Sequence, residues 1–361
     1  LTIAHQSALT WIKRWLILAI SVSILRGTIM SAVILRPLVI LSLLCLAAPP
    51  ARADDPDPED LVNSLEKISG VHKGLRRNHA KGSCAVGSFI GSKAASALSA
   101  SFIFSGKKIP VLARFSVAGP NPGVADASHS PRGMALQFQL ANGDLQQMAM
   151  LNAPVFVVAT PAAFYDLLQL DVPDPATGKK DPARAPAFFG AHPESKPFID
   201  WLMGNNPPPS YAAAPYYSLH AFKFIAKDRS EHWVRWRFEP MDGLKTIASD
   251  ALAKEPDDFL DKALTERTHK GPVKWEMIVT VGEKDDPIDN PTLVWPAGRK
   301  EIKAGVLTLT KGGQSAVGSC EEINFDPNVA SAGIEPSPDP ILQFRSQAYA
   351  VSYTRRESEK Q

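Results

Sequence analysis

Eight short runs rich in branched and apolar residues, at 83–90, 111–117, 133–140, 154–159, 220–225, 233–238, 275–281 and 305–309, constrain this chain most. Their length and composition suit β-strands. Eight of them, with Gly and Pro turns between several, predict an α+β fold around a closed eight-stranded antiparallel barrel, which leaves no bare sheet edge. Helical patterns flank the runs. Asp57 can cap a short helix that carries Leu61, Leu65 and Ile68 and ends at Gly70. Further helices are expected over 161–170, over 250–268 with a break at Pro256, and over 339–356 after Pro340. The stretch 172–215 is dense in proline and reads as a long loop; the 31 prolines overall favour ordered loops wrapping a barrel over a helical bundle.

The 361 residues, 45% hydrophobic and 21% charged, can bury a large core. The net charge is only +2 and the basic residues are scattered, so no nucleic-acid partner is expected. From Met30 the chain reads as a secretory signal, with Arg36 as the basic start, 37–48 as the apolar stretch and Ala51-Arg52-Ala53 as the cleavage site. The apolar stretch is shorter than the roughly 20 residues a spanning helix needs, which argues against a membrane anchor. Residues 1–53 are therefore expected to be a targeting segment and 54–361 a single exported domain. An oxidising compartment would allow Cys84 and Cys320 to join; nothing in the sequence brings them together, and two buried thiols are the other reading.

Two motifs carry the chemistry. Residues 74–82 read Gly-Leu-Arg-Arg-Asn-His-Ala-Lys-Gly, and 345–349 read Arg-Ser-Gln-Ala-Tyr. On a helix, Arg345 and Tyr349 share a face, where a guanidinium favours an ionised phenol that otherwise titrates near about pH 10. Between them lie Arg-Phe-Ser at 114–116, Pro-Arg-Gly-Met-Ala-Leu-Gln-Phe at 131–138, Asn-Ala-Pro-Val-Phe at 152–156, Val-Trp-Pro at 294–296 and Gly-Ile-Glu-Pro-Ser-Pro-Asp at 333–339. In this order, from about Gly74 to Arg356, the motifs resemble the catalase superfamily, and within it the short, exported catalase-related peroxidases.

The resemblance implies haem b as cofactor. His79 would be the distal base that shuttles a peroxide proton, a task suited to neutral imidazole, with Ser116 orienting the ring. Tyr349 would ligate iron as phenolate, the axial ligation that catalase haem takes. Arg345, with His220 and Asp339 behind it, would form the proximal charge network. Arg76, Arg114 and Arg356 would pair with the haem propionates, and Val117 and Phe164 would pack on the porphyrin. Taken singly, each residue has an ordinary structural reading, such as a hydrogen-bonded histidine or a helix-end cation. The joint order of the motifs overturns those readings.

Three departures bear on function. Full catalases have two adjacent asparagines where this chain has Leu151-Asn152, so the distal amide is missing. Ser130 stands for an acidic channel residue, and Asn78 for a channel valine, where it would replace part of the lost polarity. Without the distal amide a second peroxide is poorly oriented, which favours reduction by other donors. The resemblance stops soon after the last helix, so a more open haem edge and larger organic peroxides are expected. The expected activity is reduction of hydrogen or organic peroxides by a small donor, in the periplasm, by a monomer or homodimer. The alternatives are a true catalase, an allene oxide synthase-like rearrangement of hydroperoxides, or a non-enzymatic haem carrier.

Overall fold

The computed structural model describes residues 56–313 and 320–360. The segment 1–53, read above as a targeting signal, lies outside the described residues.

Strands β1 (Gly82–Gly91), β2 (Lys108–Val117), β3 (Arg132–Gln139) and β4 (Leu145–Leu151) pair antiparallel in succession. The next position in the sheet is split into β5 (Tyr216–Tyr217) and β6 (Phe222–Ile225), both paired with β7 (Glu231–Pro240). Leu219 lies in the interruption at φ 63°. β8 (Val273–Val281) joins β7 to β9 (Glu301–Gly312), and β9 pairs with β1. The ring closes with β5 and β6 sharing one of eight positions, while β10 (Ile334–Pro336) adds to β6 outside it. Its interior is packed with side chains. Phe89 and Phe138 meet edge to face at 5.5 Å, and Phe115 lies 5.8 Å from Trp275, all fully buried. A barrel so filled holds no ligand inside, so any site must sit against its outer wall.

Helices supply that second wall. They are α1 (Pro58–Ser69), α2 (Pro161–Gln169), α3 (Arg184–Ala191), α4 (Lys196–Gly204), α5 (Phe259–His269) and α6 (Pro340–Ser358). Asp57 caps α1 by accepting from Glu59 N, and Asp339 caps α6 by accepting from Ile341 N and Leu342 N. α1 turns its Leu61 and Leu65 onto Ala348 and Phe344 of α6, so the amino-terminal arm covers the carboxy-terminal helix of the same chain. A helical turn (Ser249–Leu252) and α5 flank Pro256, as the sequence predicts. No helix among the described residues is long and apolar enough to cross a membrane.

Two expectations need correction. The run 154–159 is not a strand; the fourth strand is β4, just before it. β4 contains Gln146 and Gln147, which break the apolar alternation yet are buried. Gln146 accepts from Ser331 N and Oγ, and Gln147 donates to Gln137 Oε1 and accepts from Asp326 N. The apolar residues Val155, Val157 and Val158 instead join a separate cluster with Phe188 of α3 and Phe198 of α4. Those helices are the second correction, since they lie inside the stretch read as loop. Pro197 sits in the first turn of α4, where a missing N–H costs nothing.

Candidate active site

One cavity lies between the outer wall of the barrel, α1 and α6, and it is lined by His79, Ser116, Arg345 and Tyr349. His79 sits in the loop before β1 at φ 53°, a conformation that strains a residue with a side chain. Its neighbours hold it there. Asn78 Oδ1 accepts from His79 N at 2.9 Å and from Gly119 N at 3.0 Å, while Arg114 Nη1 donates to His79 O at 2.9 Å. His79 Nδ1 lies 2.9 Å from Ser116 Oγ on β2. Burial, with the charges of Arg114, Arg345 and Arg76, pulls the His79 pKa down to about 3, so the ring is neutral over the working range. Asn78 thus lines the cavity with its carbonyl oxygen committed to backbone. Val117, expected beside the porphyrin, is not among the lining residues: side chains alternate along β2, and because Ser116 faces the cavity Val117 packs into the barrel core.

The second pole stands on α6. Arg345 Nη2 donates to Tyr349 Oη at 2.7 Å, and its guanidinium lies 5.3 Å from the tyrosine ring centre. Behind them His220 Nδ1 is 2.7 Å from Asp339 Oδ2, both fully buried. Burial keeps His220 below the usual imidazole pKa despite the opposing pull of Asp339. Among the described residues no hydrogen bond joins Arg345 to His220, so the expected network consists of two pairs. Phe164 lines the cavity and packs 5.5 Å from Phe156.

Arg76, Arg114 and Arg356 converge at one end of the cavity. Arg114 Nε donates to Glu321 Oε1 at 2.8 Å, and Arg76 Nε lies 3.5 Å from the same carboxylate. Arg76 and Arg356 also donate to the carbonyls of Glu321 and Ile323. Burial and the charges of Arg114 and Arg356 pull the Arg76 pKa down to about 9, against the opposing pull of Glu321. Nε of Arg76 and of Arg356 are buried without a hydrogen-bond partner. Three guanidiniums face the carboxylate of Glu321 and that of Glu357, which lies 3.8 Å from Arg356 Nε, so the cluster keeps an excess of positive charge that the carboxylates of a porphyrin would balance. The remaining lining, with Leu61, Leu65, Met150, Phe156 and Phe344, suits an apolar macrocycle. These residues fit haem.

Two participants escaped the sequence reading, and one pair was left open by it. A Cβ at Gly133 would stand 2.6 Å from Ser116 Oγ and 3.2 Å from His79 Nδ1, so only glycine leaves room for that pair. The Pro-Arg-Gly motif signals the position but not the reason. Glu321 carries no motif. Cys84 and Cys320 form a disulfide with Cα atoms 5.7 Å apart, settling the alternative that the sequence left open.

Comparison with known proteins agrees with this geometry. The chain is 48% identical over 299 residues to a catalase-related peroxidase of Synechococcus elongatus, covering 83% of this chain and 88% of that one. It is 33% identical over 301 residues to a catalase-related peroxidase of Mycolicibacterium paratuberculosis, covering 83% and 94%. The fold resembles a fungal catalase (TM-score 0.72, 24% identity, 82% of this chain and 62% of that one) and catalase A from Saccharomyces cerevisiae (TM-score 0.71, 25% identity, 82% and 64%). This chain spans less than two thirds of the length of either solved structure. The family described as Catalase matches residues 62–360, and with its His79 loop, its barrel and its Tyr349 helix in that order the chain belongs to the catalase family.

Proposed function

We propose that this chain is a haem b peroxidase that reduces hydrogen peroxide and organic peroxides with a small reducing donor. The observation that carries this reading is a single cavity that brings together His79 with Ser116 and Tyr349 with Arg345, and that is faced by Leu151 where full catalases have an amide. Asn152 turns away: its Oδ1 accepts from Arg132 N at 2.7 Å and extends the pairing of β3 with β4.

Bound here, haem would supply an iron at which the peroxide O–O bond is cleaved. Tyr349 Oη would hold that iron, and the three arginines would hold the carboxylates. With Nδ1–H donated to Ser116 Oγ, His79 keeps Nε2 free as its basic atom. Nε2 would take a proton from one peroxide oxygen and return it to the other, which leaves as water from hydrogen peroxide and as an alcohol from an organic peroxide. Burial keeps the ring neutral, so Nε2 carries a free lone pair to receive that proton. Leu151 offers no hydrogen bond to a second peroxide, so turnover falls to external donors. The buried Cys84–Cys320 disulfide supports an oxidising compartment, which we assign to the periplasm after signal removal; recovery of the protein with the cytoplasmic fraction would overturn that assignment. We expect a monomer or homodimer, since α1 covers α6 of its own chain.

The test is a paired assay on haem-loaded protein: oxygen release from hydrogen peroxide, alongside oxidation of a chromogenic donor by cumene hydroperoxide. Donor oxidation with little oxygen is expected. Vigorous oxygen release would make this a small catalase, and inactivity in both assays despite bound haem would point to a carrier or a rearrangement enzyme.

A further inference from the structure

We infer that the Cys84–Cys320 disulfide is a positioning device for the haem carboxylates, acting through the short segment 320–323. The inference rests on the haem reading above. Cys84 lies on β1 and Cys320 is 236 residues later, at the start of a single helical turn (Cys320–Glu322). That turn is where the three arginines meet. Arg76 Nη2 donates to the carbonyls of Cys320, Glu321 and Ile323 at 3.0, 3.2 and 2.8 Å. Arg356 Nη1 donates to Glu321 O at 2.7 Å and its Nη2 to Ile323 O at 3.0 Å. Arg114 Nε donates to the Glu321 carboxylate.

The three cations come from unrelated places: a loop, the middle of β2 and the end of α6. Buried guanidiniums repel one another, and without fixed acceptors between them they would splay apart or turn to solvent. The segment 320–323 provides those acceptors. It lies outside the barrel ladders, and the sulfur bridge is its covalent tie to the barrel wall, beside the ion pair of Glu321 with Arg114 on β2. Both cysteines are buried against Phe325, itself stacked 5.7 Å from the Arg76 guanidinium, so the staple and the cations form one packed unit. Arg114 ties that unit to catalysis, because the same guanidinium braces the carbonyls of His79 and Ala80. The disulfide therefore does more than close a loop: it fixes the acceptors that aim the excess positive charge of the three arginines into the cavity.

A bond that merely stabilised the fold would affect all ligands of the cavity alike. A bond that positions the arginines matters only for a ligand with free carboxylates. Apoprotein is therefore titrated with protoporphyrin IX and with its dimethyl ester, followed by quenching of tryptophan fluorescence, with far-UV circular dichroism as the check on folding. In Cys84→Ser/Cys320→Ser, affinity for the free acid is expected to fall roughly tenfold or more, with the ester within about twofold of its wild-type affinity. If the serine pair does not fold, Cys84→Ala/Cys320→Val fills the apolar pocket around Phe325 and takes its place. Equal losses for both ligands, or no loss for either, overturn the inference. A wild-type protein that fails to prefer the free acid over the ester overturns the haem-carboxylate reading beneath it, an outcome distinct from the other two.

Discussion

The two poles of the cavity are held in different ways. Tyr349 stands on α6, where ordinary helical backbone fixes its direction and one bond from Arg345 completes its setting. His79 stands in a loop at positive φ, and Asn78, Arg114 and Ser116 bond it directly while Gly119 N–H fixes Asn78 Oδ1. Helical geometry comes from local sequence, whereas a strained loop persists only where its surroundings over-determine it. The His79 pole should therefore be sensitive to small changes at a distance, and the Tyr349 pole tolerant of them.

The largest effect is expected at the ring itself. His79→Ala should lower the rate of reaction with peroxide by about 10²–10⁴-fold while porphyrin binding persists; stopped-flow measurement of the peroxide step reads this, and an unchanged rate would remove His79 from the mechanism. Next comes Gly133→Ala. The added carbon meets Ser116 Oγ and the His79 ring, and a displacement of that size costs about 10²-fold in the same rate. A loss of less than about twofold would show that the pole is softer than the contacts imply.

Acid separates the poles by stability. His79 and His220 both titrate below the unfolded imidazole value. Below about pH 6.5 the unfolded chain takes up protons that the folded chain refuses, so stability is full above that pH and falls as pH drops toward the folded values. For His79 the loss should be on the order of 2 kcal/mol at pH 4.5, read from urea midpoints of the apoprotein at pH 7 and pH 4.5. His79→Ala should show a shallower loss, and an identical slope would contradict the buried neutral ring. The smallest effect belongs to the helix. Arg345→Ala removes one hydrogen bond and a stacked cation from Tyr349, which should cost about 1 kcal/mol of apoprotein stability, read from urea midpoints at pH 7, and leave the hydrogen bonds around His79 in place. A cooperative loss at both poles would show that they are coupled through the cavity.

Legibility followed the same divide. Asp57, Pro161 and Pro340 mark helix starts that the structure retains, because caps and first-turn prolines act through neighbouring residues. Seven of the eight strand positions were readable from apolar runs. β4 was not, because its glutamines are paid for by partners at Asp326 and Ser331, far away in sequence. Val117 was misplaced because a motif gives order along the chain, whereas the facing of a strand depends on which neighbour it buries.

What the linear order of residues decided is the barrel class and the capped helices, which rest on local periodicity and residue type, and, through the ordered motifs that resemble the family, which groups to seek around the cavity. What only the folded chain decided is how those groups are held. The room that Gly133 leaves, the carboxylate that Glu321 adds to three arginines, and the bond between Cys84 and Cys320 all depend on contacts between residues far apart in sequence. No local pattern records such contacts; they exist once the barrel has closed and α6 has docked on its outer wall.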